Sequence, residues 1–66
     1  MLEADKYYTV EQVARELHVS GETIRAKIRT GRLPARPRFI GRGYEIRGGD
    51  VLDRVGEIQA EETGNG

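Results

Sequence analysis

The sequence predicts a small α+β fold in which two short helices joined by a tight turn are followed by a β-hairpin and a third helix. Apolar residues recur at helical spacing over residues 10–17 and again over residues 24–28. Prolines and glycines between residues 34 and 43 exclude a helix there and favour a hairpin. Helical spacing returns over residues 51–58. The 66 residues leave room for one domain with a small core.

The first helix is predicted within YTVEQVARELHV, where the apolar residues fall on one face. Thr9 is a suitable N-cap, and Gln12 lies three residues later, as a capping box requires. Tyr8 and Val13 occupy the two positions of a hydrophobic staple, so three local signals predict the same start. The apolar stripe of this helix consists of Val10, Val13, Ala14 and Leu17.

The second helix is predicted within GETIRAKIRT, about three residues after the first helix ends. Ser20 caps it, and Val19 and Ile24 form a second staple. Ile24 and Ile28 are expected to face the core. Gly31 fits the C′ position, where a residue with positive φ ends a helix at little cost. Two helices at this spacing predict a helix-turn-helix.

The face of the second helix that points away from its apolar stripe is predicted to be exposed and basic. A helix of this width fits the major groove of B-DNA, where an arginine can donate two hydrogen bonds to guanine O6 and N7. A basic helix face that contacts nothing is the alternative, and the helix alone does not decide between them. The predicted outer face consists of Glu22, Thr23, Arg25, Ala26, Lys27 and Arg29.

A two-stranded hairpin is predicted within RFIGRGYEI, which consists of two short extended runs around a glycine-rich turn. If Ile40 is paired with Tyr44, these two side chains and Ile46 face the core. Phe39 and Glu45 then point to the other face of the hairpin. Phe39 is therefore expected to be partly exposed or to be covered by another element.

Arg42 lies at the tip of this hairpin, between Gly41 and Gly43. An arginine on a glycine turn does not easily join a core, but it can reach into a narrow minor groove, where the negative potential is strongest. A solvated turn is the alternative. The basic helix beside the hairpin favours the groove interpretation.

The third helix is predicted to begin at Asp50, its N-cap, with Asp53 at the N3 position. Its apolar stripe consists of Val51, Leu52, Val55 and Ile58. We expect one domain over residues 7–58, a flexible N-terminus over residues 1–6 and a disordered acidic tail over residues 59–66.

The charges are separated along the chain, although their sum is zero. Residues 1–24 carry two basic and five acidic side chains, a net charge of −3, and residues 48–66 carry one basic and five acidic side chains, a net charge of −4. Residues 25–47 carry eight basic side chains and one acidic side chain, a net charge of +7. Such a block is typical of a surface that binds a polyanion, because ordinary charged surfaces mix both signs. A solvated basic face is the alternative.

The composition excludes several classes of function. The chain has no cysteine and one histidine, His18, so thiolate sites and histidine metal clusters are excluded. No pair of nucleophile and base and no metal set is predicted, so we expect neither catalysis nor a cofactor. His18 is expected to be structural. The first eight residues lack the apolar run of a signal peptide, and no segment is apolar enough to span a membrane, so a soluble cytoplasmic protein is expected.

Three short patterns carry a resemblance to a known family. They are Val-Ser-x-x-Thr-Ile-Arg at residues 19–25, Gly-Arg-Leu-Pro-Ala at residues 31–35 and Gly-x-x-Tyr-x-Ile-x-x-x-Asp-Val at residues 41–51. With them, residues 7–58 resemble the MerR-like winged helix-turn-helix, and most closely the small phage and plasmid excisionases, also called recombination directionality factors. The resemblance implies a helix-turn-helix, a two-stranded β-hairpin wing and a C-terminal helix.

The resemblance implies that the second helix enters the major groove and that the wing lies on the adjacent minor groove, with Arg42 as the wing contact. The implied major-groove contacts are Ser20, Thr23, Arg25 and Arg29. The predicted phosphate contacts are Lys27, Arg32, Arg36 and Arg38.

Two positions depart from the family pattern. Lys27 stands where relatives often carry an aromatic residue, usually tryptophan, so its core role is expected to be lost or replaced by a phosphate contact. Gly48 and Gly49 stand where relatives often have charged or serine residues, so a looser start of the last helix is expected.

The resemblance implies an excisionase role, in which several copies bind attachment-site DNA cooperatively, bend it and direct a site-specific integrase toward excision. The implied partners are double-stranded DNA, the integrase and neighbouring copies, associated with the nucleoid of a bacterial or phage-infected host. A small MerR-like transcription regulator is the alternative, since neither an effector domain nor a dimerising helix is expected after Ile58. A winged helix that binds a protein instead of DNA is a further alternative.

Overall fold

The computed structural model describes residues 1–38, 40–41 and 43–64, with side chains as far as residue 60. Within this range, four helices and a three-stranded antiparallel sheet enclose one core, which confirms the predicted α+β winged helix-turn-helix. The sheet has the order β1-β3-β2, so β3 is its central strand. In chain order the elements are β1 (Tyr7–Tyr8), α1 (Val10–Leu17), α2 (Gly21–Arg29), β2 (Arg36–Pro37), β3 (Tyr44–Arg47), α3 (Gly48–Leu52) and α4 (Val55–Gly64).

Both helices of the helix-turn-helix begin where the sequence predicts. Thr9 Oγ1 accepts a hydrogen bond from the Gln12 N–H at 3.1 Å, and Gln12 Oε1 accepts one from the Thr9 N–H at 2.9 Å, so the capping box is confirmed. Ser20 caps α2 by accepting a hydrogen bond from the Thr23 N–H at 3.1 Å. The turn between the two helices contains His18, whose φ of 58° lies in the left-handed region.

A Schellman motif fixes the end of α2. The Arg32 N–H donates to the Lys27 carbonyl oxygen at 2.9 Å, and the Gly31 N–H donates to the Ile28 carbonyl oxygen at 3.1 Å. Gly31 has a φ of 78°, which confirms its predicted place just after the helix. Local hydrogen bonds therefore define both ends of α2, which matters because a helix of nine residues has little stability of its own.

The core forms where the apolar stripes of the helices meet β3. The four residues of the α1 stripe are buried as predicted, Ile24 is fully buried, and Ile28 packs against the core. Two further members, Leu2 from the N-terminal segment and Leu33 from the loop after α2, do not follow from any sequence pattern. The core consists of Leu2, Val10, Val13, Ala14, Leu17, Ile24, Leu33, Ile46, Val51 and Ile58.

The hairpin has a different register from the predicted one. Arg36 pairs with Glu45 and Pro37 pairs with Tyr44, so β2 ends before Ile40 is reached. Ile40 is 76% exposed, and the prediction that it faces the core is wrong.

The reason is the length of the turn. The Arg38 N–H donates to the Gly43 carbonyl oxygen at 3.1 Å, and this bond closes the hairpin and leaves Ile40 beyond the sheet. Phe39 and Arg42 also belong to this segment of the sequence, and their predicted positions lie outside the described residues.

The sheet also contains a strand that the sequence patterns do not predict. Tyr7 pairs with Arg47 and Tyr8 pairs with Ile46, so β1 lies along the free edge of β3. The hairpin is therefore part of a three-stranded sheet, where two strands were predicted.

The predicted third helix is two helices. α3 begins at Gly48 with Arg47 at the N-cap position, so the prediction of Asp50 as the N-cap is wrong. A turn at residues 53–54 then separates α3 from α4. Because of this break, Leu52 leaves the predicted apolar stripe and is 45% exposed.

The helical structure also continues further than the sequence predicts. α4 reaches Gly64, beyond Ile58, after which a disordered tail was expected. The Gln59 side chain donates from Nε2 to the Leu17 carbonyl oxygen at 3.0 Å, which links α4 to the end of α1. Residues 65–66 lie outside the described range.

Residues 1–6 pack onto the domain, in contrast to the flexible N-terminus that the sequence predicts. The Gly48 N–H donates to the Lys6 carbonyl oxygen at 2.8 Å, and the Gly49 N–H donates to the Ala4 carbonyl oxygen at 2.9 Å. Both glycines are buried, so the start of α3 is closely packed and the expectation of a looser start is wrong.

Lys27 lies on the core side of α2, contrary to its predicted place on the outer face. Its side chain is 3% exposed, and Nζ lies 3.5 Å from Glu57 Oε1 of α4. Lys27 follows Ile24 by three residues and precedes Ile28 by one, so the helical period places it in the apolar stripe. Lys27 therefore keeps a core role, and its burial is incompatible with the predicted phosphate contact.

We expect Gly48→Ala to lower the free energy of unfolding by about 1–3 kcal/mol. A Cβ at this position would overlap the Glu3 carbonyl oxygen and lie 3.0 Å from the Tyr8 ring, so the N-terminal segment would have to move. In the control Gly56→Ala the new Cβ meets no atom within 4 Å, and the free energy should rise by about 0.5–1 kcal/mol. Urea denaturation followed by circular dichroism measures both values, and equal effects would contradict the packing of the N-terminal segment.

We expect Lys27→Met to keep or raise the free energy of unfolding, because methionine fills similar space without a charge to desolvate. Glu57→Gln should lower it by about 1 kcal/mol, since the buried ammonium loses a charged partner that is itself 55% exposed. The control is Glu22→Gln, which likewise removes an exposed acid from the first turn of a helix but takes no partner from a buried charge, so its effect should be smaller. Thermal denaturation measures all three, and strong destabilisation by Lys27→Met would contradict this account.

Candidate nucleic-acid interface

A cleft of about 330 Å³ lies between the helix-turn-helix and the hairpin. Its walls are the first turn of α1, one side of α2 and the base of the hairpin. The lining residues are Thr9, Val10, Glu11, Arg25, Arg38, Gly43 and Tyr44. The fold thus brings an arginine from α2 and an arginine from the hairpin to one concave surface.

Arg25 has a defined position in this cleft. Its Nη2 donates to Glu11 Oε2 at 3.1 Å, which links α2 to the first turn of α1. The side chain also lies over Gly21, where an added Cβ would be 3.2 Å from Arg25 Nη1. The Arg25 side chain is nevertheless 48% exposed. A guanidinium that is already positioned but still accessible loses less conformational entropy when it binds a ligand.

Arg29 lies one turn after Arg25 on the same exposed face of α2. Its side chain forms no ion pair with any residue that the structure describes. Between them lies Ala26, which is half-buried and small, so no large side chain keeps a ligand away from the helix backbone. Glu22 is exposed, as predicted for the outer face. The exposed face of α2 therefore carries two arginines one turn apart.

Ser20 and Thr23 lie at the start of α2. Their hydroxyl oxygens are 2.9 Å apart and share a hydrogen bond, while Ser20 also caps the helix. Ser20 is exposed and Thr23 is half-buried. A hydroxyl can donate one hydrogen bond and accept two, so these groups can hold the first turn and still contact a ligand.

Arg36 lies on the opposite face of the sheet from the cleft. Side chains alternate along β3, so Glu45 points away from the face that carries Tyr44. Arg36 donates from Nε to Glu45 Oε1 at 3.1 Å, and its guanidinium lies 3.9 Å from the centre of the Tyr7 ring. The structure therefore separates Arg36 from the arginines of the cleft.

Folding divides the basic block of the sequence into two groups. Three of its eight basic side chains, Lys27, Arg36 and Arg47, form ion pairs with acidic residues away from the cleft. Arg42 lies outside the described residues. The basic side chains that remain exposed on α2, on the loop after it and at the hairpin base are Arg25, Arg29, Arg32 and Arg38. The charge available to a polyanion is therefore smaller than the +7 of the sequence block.

Glu11 and Gly21 belong to the site but do not follow from the sequence patterns. An acidic residue in the first turn of a helix is ordinary, because it interacts favourably with the helix dipole. The contact of Glu11 with Arg25 depends on how α1 crosses α2, which is a tertiary property. For Gly21, the one signal in the sequence is that glycine, a poor helix former, directly follows the N-cap residue of α2.

No helix in the described part of the chain is both long enough and apolar enough to cross a membrane. The described residues also contain no group of three histidine, cysteine or acidic side chains arranged to hold a metal ion.

No curated protein and no solved structure matches the chain. The family model described as a helix-turn-helix domain matches residues 7–57, which run from β1 into the first turn of α4. This family includes excisionase-like small DNA-binding proteins, and membership implies sequence-specific binding of double-stranded DNA. Since this match covers most of its length, the chain belongs to the helix-turn-helix domain family.

Proposed function

We propose that the protein is an architectural DNA-binding protein of excisionase type, which places α2 in the major groove and the hairpin on the adjacent minor groove. The observation that carries this proposal is the single cleft shared by Arg25 from α2 and Arg38 from the hairpin. A duplex presents base edges and rows of phosphates together, and a concave basic surface with two elements can contact both.

Base readout is assigned to the exposed face of α2. Arg25 and Arg29 can each donate two hydrogen bonds to guanine O6 and N7. Ser20 and Thr23 lie at the N-terminal end of the helix, the end that contacts base edges in helix-turn-helix proteins. The pairing of Arg25 with Glu11 supports this assignment, because it orders the guanidinium before DNA arrives.

Phosphate contacts are assigned to Arg32 and Arg38. Arg32 is exposed just after α2, and Arg38 lines the cleft from the hairpin side. Arg42 stays a prediction as the minor-groove contact of the wing. Lys27 and Arg36 leave the predicted set, the first because it is buried and the second because it lies on the other face of the sheet.

We expect fluorescence anisotropy with a generic duplex to show that the logarithm of the association constant falls with the logarithm of salt concentration with a slope of about −4 to −5. Each phosphate contact contributes roughly −0.9, and on a generic duplex, which offers no target bases, all five arginines, Arg42 included, are expected to lie against phosphates. Arg25→Met should weaken binding and reduce the magnitude of the slope by about 1.

The matched control is Lys27→Met, which removes the same charge from the same helix but from a buried position. Its slope should stay close to that of the unmodified protein. Equal effects of Arg25→Met and Lys27→Met would contradict the assignment of α2 to the DNA. The absence of binding at low salt would overturn DNA binding by this surface and favour a protein-binding winged helix.

The excisionase role is supported by the sequence resemblance and by the size of the domain. A single small module buries only about 600–1,000 Å² of protein surface on DNA, so one copy is expected to bind with modest affinity. Several copies on adjacent sites would bind more tightly. Contacts between copies in a row are head-to-tail and do not close into a ring, so the sites are expected to be direct repeats. The proposed partners are attachment-site DNA, neighbouring copies and a site-specific integrase.

We expect cooperative binding when a site selected from random DNA is repeated head to tail about one helical turn, roughly 10 base pairs, apart. Gel-shift titration should give a Hill coefficient above 1 for two direct repeats. The same two sites as an inverted repeat are the control and should bind independently. Independent binding in both orientations would favour a transcription regulator that acts from a single site.

A further inference from the structure

The tip of the hairpin presents an apolar side chain to solvent. The tip lies beyond the hydrogen bond from the Arg38 N–H to the Gly43 carbonyl oxygen, and within it Ile40 is 76% exposed. A single exposed apolar residue is common on protein surfaces, so its position decides whether it has a role. Among the described residues after Met1, the other exposed large aliphatic residue is Leu52. Its exposed fraction is 45%, well below that of Ile40.

The described part of the tip has open space around it. Gly41 has a φ of 87°, and a Cβ added there would meet no atom within 4 Å. Gly43, on the return side of the tip, has a φ of 100°. The backbone therefore carries Ile40 away from the core by conformations that glycine adopts without strain.

The base of the same hairpin forms one wall of the cleft. Arg38, Gly43 and Tyr44 line this wall, and Arg25 of α2 lies across from them. DNA bound across α2 would meet the hairpin base, and Ile40 lies beyond this base, past the hydrogen bond that closes the hairpin. The apolar side chain thus extends from a basic surface. This combination suits DNA, whose bases have apolar faces and lie between rows of phosphates.

We propose that Ile40 is a wedge that inserts between two stacked base pairs from the minor groove and kinks the duplex. This proposal rests on the DNA binding proposed above. Isoleucine is among the apolar side chains that proteins insert in this way, with kinks of about 20–90° toward the major groove. Pyrimidine–purine steps such as TA unstack most easily, so they are the expected partner of Ile40.

The test measures DNA bending separately from DNA binding. A duplex of about 30 base pairs with one central TA step carries a fluorophore at each end, and energy transfer between the fluorophores reports the bend. A second duplex carries 2-aminopurine at the step, whose fluorescence rises when the base unstacks. The proteins are the unmodified chain, Ile40→Ser, Ile40→Leu and, as the matched control, Leu52→Ser, which removes an exposed aliphatic side chain from α3.

We expect Ile40→Ser to lose more than about half of the bend and most of the 2-aminopurine signal. Its salt slope should change less than that of Arg25→Met, since a neutral side chain itself neutralises no phosphate. Ile40→Leu should retain bending because leucine is also a wedge residue, and Leu52→Ser should behave as the unmodified protein. Circular dichroism confirms that each variant is folded.

Two results would overturn the wedge, and they differ from the result that would overturn the proposed function. Full bending by Ile40→Ser would show that the tip is an ordinary exposed turn. Binding without any bend or 2-aminopurine signal in the unmodified protein would show that the hairpin lies on the groove without inserting. The absence of all binding would remove the proposed function and the wedge together.

Discussion

The burial of Ile46 in the central strand determines how the hairpin is presented. Ile46 is fully buried, and β3 is paired on both sides, with β1 and with β2. Strand β2 has only two residues, both exposed, so it has no anchor of its own in the core. Because side chains alternate along a strand, the burial of Ile46 also places Tyr44 at the cleft and Glu45 on the opposite face. One buried side chain thus sets the orientation of the hairpin and places Arg36, the partner of Glu45, on the face away from the cleft.

A chain without net charge can bind a polyanion if folding places its basic and acidic side chains on different surfaces. Ion pairs neutralise Lys27, Arg36 and Arg47 on the sides of the domain away from the cleft. Glu11 is the acidic residue that lines the cleft, and it is paired with Arg25. The electrostatic potential at the cleft therefore depends on a few arginines and one carboxylate. It is less positive than the net charge of +7 over residues 25–47 suggests.

Signals between neighbouring residues predicted the helix-turn-helix correctly, because capping and the helical period involve residues close in sequence. Contacts between distant residues account for the errors. Ile40 suits a strand, yet pairing with β3 and the length of the turn left it outside the sheet. The helical period placed Lys27 in the core stripe, but its charge argued for exposure, and its partner Glu57 comes from another helix. In the candidate site, the helical period placed Arg25 on the exposed face of α2 but gave no sign of its contact with Glu11.

The two elements that flank the cleft differ in how firmly they are held, and the difference matches the tasks proposed for them. Helix α2 is fixed by the Ser20 cap, by the Schellman motif at Gly31 and, from behind, by the pair of Lys27 with Glu57. Base readout needs a helix that is held this firmly, because two parallel hydrogen bonds from one arginine to a guanine tolerate little displacement. Ile40 and Gly41 in the hairpin tip stand clear of the core, so this part of the hairpin can reach further. A small domain contacts little of a straight duplex, so a bend that wraps DNA toward it adds contacts that a straight duplex cannot provide.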